Sequence, residues 1–122
     1  MISTIKKFSI ILASGFYVLV GIQHFVNPQW FVQIVPPYLP YPLQLVYISG
    51  FFEIALGLLL LIPSLRYFAA WGIILLLIAV FPANIYVAQT MGEVMNTTPL
   101  LAWGRLPFQF VFIAIAYWHT RK

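Results

Sequence analysis

The sequence predicts an all-α fold, a single integral membrane four-helix bundle spanning residues 1–122. Three observations predict it. Hydrophobic residues make up 63% of the chain and charged residues only 7%, against about 25% charged in soluble domains, so one small water-soluble core could not hide the apolar side chains. Those residues gather into four runs, each near the ~20 residues that cross a bilayer as a helix. The few polar residues inside the runs recur at helical spacing.

The runs lie at about 8–26, 43–62, 67–89 and 105–119, the fourth being the shortest. They are expected as helices because backbone groups in lipid must pair within their own segment. The first follows Lys6 and Lys7 but is too long for a signal-peptide core. The bulky, polar GIQHFVNPQW comes after it, with no small-x-small cleavage site, so it is expected to be retained.

The first connection, NPQWFVQIVPPYLPYP, holds five prolines and no charge and is expected to be irregular backbone at the membrane surface. Trp30, Phe31, Tyr38 and Tyr41 suit the headgroup layer. The second, Pro63–Ser64–Leu65–Arg66, reads as a tight turn, and the third, TMGEVMNTTPLLAWG, as a longer polar loop. It contains the sequon Asn96–Thr97–Thr98, taken as a chance match because the loop is short and Pro99 follows. No internal repeat stands out.

Four crossings put both termini and the second connection on one side. That side holds Lys6, Lys7, Arg66, Arg121 and Lys122, while the other holds Arg105 with Glu93 nearby. The positive-inside rule then places both termini in the cytoplasm. The net charge of +4 is scattered and mostly terminal, which fits anchoring to anionic headgroups rather than nucleic-acid binding.

The chain has no cysteine, which removes thiol nucleophiles, disulfide relays and Cys-ligated metals. His24 and His119 are expected near opposite membrane faces, so they could not share one haem iron. No HExxH or paired-carboxylate spacing is present, and there is no Asp for a Ser–His–Asp triad, although Glu could substitute. No specific catalytic motif therefore points to an enzyme, and no metal is expected.

The polar residues within the runs carry the functional reading. Glu53 sits roughly 15 Å deep at 1.5 Å per residue, where ionisable groups are rare and face the bundle interior. Gly50, Glu53 and Gly57 share one helix face, and the glycines allow close helix approach. Ser14, Tyr17, Gly21 and His24 form a matching stripe in the first helix, as do Arg105, Gln109, Phe112 and Ala116 in the fourth. In FPAN, Pro82 deprives the Ile78 carbonyl of its helical donor, and Asn84 is placed to satisfy loose groups nearby. His24, Glu53, Asn84, Arg105 and Gln109 all fall in the outer half of the bundle and form one expected site. Arg105 and His24 are the available partners for Glu53. The competing reading of Glu53 is a structural lock that sets helix register.

GIQHFVNPQWFVQIVPPYLPYP, SGFFEIALGLLLLIP, AVFPANIYVA and WGRLPFQ, in that order, resemble the DoxX family of small four-helix bacterial membrane proteins, from Gly21 to Gln109. The family is named after a component linked to a terminal quinol oxidase, and other members are similar to membrane partners in oxidative-stress complexes. The resemblance implies a bacterial cytoplasmic-membrane protein and makes His24, Glu53, Asn84, Arg105 and Gln109 its motif positions.

The leading expectation is an accessory or ligand-binding subunit of a quinone-linked or redox-associated membrane complex. Its pocket would take a small amphipathic ligand such as a quinone headgroup, with Arg105 and Gln109 donating hydrogen bonds and Glu53 with His24 tuning or accepting protons. The expected partners are the lipid bilayer, such a redox complex, and a second copy of the chain. The alternatives are a structural or chaperone-like membrane partner and a small transporter, which would need a dimer.

Overall fold

A computed structural model of the chain describes residues 3–90 and 98–121. Glu93, Asn96 and Thr97, and with them most of the expected sequon, lie outside the described residues.

Helix α1 runs over Thr4–Val26. It begins one turn before the expected start because the Ser3 hydroxyl accepts from the Lys6 amide at 3.1 Å, satisfying a donor the helix leaves open. Helix α2 (Pro28–Val32) occupies part of the connection expected to be irregular. Pro28 stands at its first turn, where proline is tolerated because that amide has no helical partner and φ is already set. The chain then turns at Tyr41, which holds a left-handed φ of 54° between Pro40 and Pro42.

Helix α3 (Pro42–Leu59) ends three residues before the expected Ile62. Pro63 disfavours helical backbone at the residue before it, and the last turn tightens through bonds from Leu61 to Leu58 and from Ile62 to Leu59. Helix α4 (Arg66–Gln89) carries Pro82 within it.

Helix α5 runs over Pro99–Thr120, which corrects the expected start at 105. The segment PLLAWG is helix, not loop: the Thr98 hydroxyl caps it by accepting from the Leu101 amide, with Pro99 in the first turn. At 22 residues α5 is not the shortest span; α3, with 18, is.

Helices α1, α3, α4 and α5 are each long and apolar enough to cross a membrane, and the chain is a multi-pass, four-helix membrane protein. Ile5, Phe8, Leu19, Leu75 and Phe108 are largely exposed, an apolar exterior suited to lipid.

The bundle is built from two helix pairs. α1 packs along α3 and α4 along α5, while α3 meets α4 over a smaller contact. The α1 stripe of Ser14, Tyr17, Gly21 and His24 is buried, and so are Gly50 and Gly57 on α3. Ser14 Oγ donates to the Gly57 carbonyl at 2.7 Å and ties the stripes together. One apolar cluster, including Ile10, Leu60, Ala70 and Ile73, fills the end near the N-terminus of α1. A second joins Ile34 of the first connection to Val87 and Ala102 at the other end. The connection therefore folds inward over α4 and α5.

Candidate functional site

Between the helix pairs lies a cavity of about 1090 Å³, lined by all five residues singled out in the sequence: His24, Glu53, Asn84, Arg105 and Gln109. Most of its wall is apolar, with Val20, Leu77, Val80 and Phe112 among the lining side chains. Such a balance, many apolar contacts and a few polar groups, is characteristic of small-molecule sites.

The polar groups form two separate arrangements. On the α1–α3 wall, His24 Nδ1 lies 3.6 Å from Glu53 Oε2, the only contact within 4 Å between a basic and an acidic side chain among the described residues. The same nitrogen donates to the Val20 carbonyl at 2.8 Å, since a carbonyl can only accept. The Phe31 ring stacks on the imidazole with centroids 3.8 Å apart. Phe31, expected at the headgroup layer, is thus turned inward by α2, whereas Tyr38 and Tyr41 remain well exposed. Glu53 Oε2 and Ser49 Oγ are both buried without a hydrogen-bond partner.

On the α4–α5 wall, Arg105 Nε donates to Asn84 Oδ1 at 2.9 Å. Asn84 Nδ2 donates to Gln109 Oε1 at 2.6 Å. Gln109 Nε2 in turn donates to the Leu77 carbonyl. Each amide accepts on one side and donates on the other, so the chain of bonds crosses between α4 and α5 three times.

Two expectations are corrected here. Arg105 pairs with Asn84 rather than with Glu53, because it rises from α5 beside α4 and its Nε is taken by the amide. Gln109, not Asn84, serves the backbone near Pro82. It reaches the carbonyl one residue before that of Ile78, whose usual donor the proline removes, while Asn84 holds Gln109 in place.

The sequence reading missed Ser49 and Phe31. Ser49 lies one turn before Glu53 on the same face, a spacing that could have revealed it. Phe31 had no such signal, since its contact with His24 depends on how α2 folds back. Among the described residues no cluster of side chains could hold a metal ion.

The sequence pattern of a family described as "Domain of unknown function (DUF8561)" matches residues 13–120. The chain belongs to this family. The matched region contains all five candidate residues together with Phe31 and Ser49. No curated protein and no solved structure matches the chain.

Proposed function

We propose that this member of the DUF8561 family is a DoxX-like accessory or ligand-binding subunit of a quinone-linked or redox-associated complex in the bacterial cytoplasmic membrane, with both termini in the cytoplasm. The cavity holds a small amphipathic ligand, and a quinone headgroup is the leading candidate. One observation carries the reading: a large, mostly apolar cavity whose wall includes Ser49 and Glu53, the two side chains whose Oγ and Oε2 are buried without a hydrogen-bond partner. Buried polar atoms are costly unless hydrogen-bonded, so a ligand with a polar head and an apolar body suits both parts of the wall. His24 and Phe31 add a flat aromatic surface for a planar ring.

The test is titration of the purified full chain with a short-tailed benzoquinone or naphthoquinone. Trp30 packs edge-on against Phe31 with centroids 4.8 Å apart, so its fluorescence reports on this wall. Quenching with a rise in thermal stability is expected. No change in either overturns the reading.

A second reading, a structural or chaperone-like partner, is favoured by the Arg105–Asn84–Gln109–Leu77 chain, which satisfies itself without a ligand. Pulldown of a stable partner, bound equally well by Glu53→Gln, would select it.

A further inference from the structure

The opposite end of the bundle gathers positive charge. Lys6 at the start of α1 meets the end of α5, its ammonium donating to the Arg121 carbonyl, and Arg66 at the start of α4 lies close enough to act electrostatically on Lys6. Lys6 and Arg66 also act on His119, which is buried and shares a 2.8 Å hydrogen bond with Ser9 Oγ. No acidic side chain joins the group among the described residues. Of the chain's two acids, Glu53 is on the other site's wall and Glu93 lies outside the described residues.

Lys6 is unusual within this group. It is only 4% exposed. Its ammonium donates to the Arg121 carbonyl, and Arg66 Nε donates to the Leu60 carbonyl at 2.8 Å. These bonds place cations at helix C-termini, where the dipole favours them. They do not neutralise the like charges of Lys6 and Arg66, and covered charges are normally paired. A carbonyl also uses only one of the three ammonium donors and leaves the forked end of the guanidinium for another acceptor.

We propose that Lys6 and Arg66 form a site for a phosphate group, with Lys6 as its covered floor; the neighbouring Arg121 guanidinium donates instead to the Tyr117 hydroxyl at 3.2 Å. The chemistry recognised is an anionic phosphate oxygen that accepts from the Lys6 ammonium and, side by side, from the Arg66 guanidinium. Its two possible sources are the phosphodiester of an acidic phospholipid and free phosphate. Basic pockets between helices at a membrane surface commonly hold such headgroups.

Native mass spectrometry of the full chain in neutral detergent, with phosphatidylglycerol, phosphatidylcholine or inorganic phosphate added, tests this. Retention of phosphatidylglycerol over phosphatidylcholine, with phosphate a poor competitor, identifies a lipid site. Phosphate binding at comparable concentration identifies the soluble source and equally supports the site. At about fivefold per cation, Lys6→Gln with Arg66→Gln should weaken binding about 30-fold. Arg66→Gln alone, a half-buried surface change, should lose about fivefold and serves if the double variant does not fold. Lys7→Gln, at the exposed neighbouring position, should cost clearly less than Arg66→Gln, since it adds only general surface attraction. Equal retention of both lipids without phosphate binding overturns the proposal. So does an Arg66→Gln protein with undiminished selectivity, or an equal loss in Lys7→Gln, which would mean general surface charge.

Discussion

Gly21 and Gly50 face each other across α1 and α3 so closely that neither has room for a methyl group. A Cβ on Gly21 would lie 2.8 Å from the Gly50 carbonyl oxygen, and one on Gly50 would lie 3.0 Å from that of Gly21. The same contact brings His24 against α3, since a Cβ on Gly50 would lie 2.5 Å from His24 Cβ. The close approach of these backbones thus helps set where His24 stands beside Glu53.

Gly50→Ala should destabilise the protein by about 1–3 kcal/mol, because backbone rather than a mobile side-chain tip must yield. A Cβ on Gly15 in α1 would meet nothing within 4 Å. Gly15→Ala should therefore be neutral or stabilise by about 0.5–1 kcal/mol through helix propensity alone. Thermal unfolding of both variants in one detergent checks the contrast, and equal effects would refute it.

The hydrogen-bonded chain on the α4–α5 wall should behave as a unit. Asn84→Leu and Gln109→Leu each leave a buried amide with a missing partner. A double-mutant cycle should give a coupling of about 1 kcal/mol, within the range for interhelical polar contacts in membranes. Strict additivity of the two unfolding free energies would show that the bond contributes nothing.

His24 and Glu53 should show the asymmetry of a buried pair. Removing one partner leaves the other polar group in an apolar wall, while removing both leaves packing alone. The double variant His24→Leu/Glu53→Leu should therefore unfold at a higher temperature than Glu53→Leu, its His24 then lacking the carboxylate 3.6 Å away. A double variant less stable than both singles would contradict this account.

Ser49→Ala separates stability from binding. Its hydroxyl has no partner in the free protein, so its removal should be neutral or stabilise by up to about 1 kcal/mol. Quinone affinity should fall several-fold if that hydroxyl meets the ligand head. A stability loss above about 1 kcal/mol, read by thermal unfolding, would reveal a structural role for the hydroxyl instead.

Much of the site was legible because its residues obey helix periodicity. Gly50, Glu53 and Gly57 must share a face once α3 is a helix, and Ser14 to His24 must do the same on α1. All five expected residues line the cavity. The pairing among them was not legible, because Glu53 had two chemically sensible partners, Arg105 and His24, and spacing along one helix says nothing about distance across the bundle. The start of α5 carried a local signal that the boundary at 105 passed over: Thr98–Pro99 is a helix-opening pair, and the mostly apolar PLLAWG resembles the helix that follows more than the polar stretch before it.

The sequence alone determined that this chain lives in a membrane as four helices, since its apolar side chains call for lipid and a backbone in lipid must pair within its own segment, and it determined which face of α1, α3 and α5 turns inward. Tertiary structure decided which inward-facing groups meet. It set His24 3.6 Å from Glu53, too far for a hydrogen bond, joined Arg105 to Asn84, turned Phe31 inward and left Ser49 Oγ and Glu53 Oε2 buried without hydrogen-bond partners. The reason is physical: periodicity is a property of one helix, whereas contact depends on how closely two helices approach and in what register, and here glycines on facing stripes set that approach.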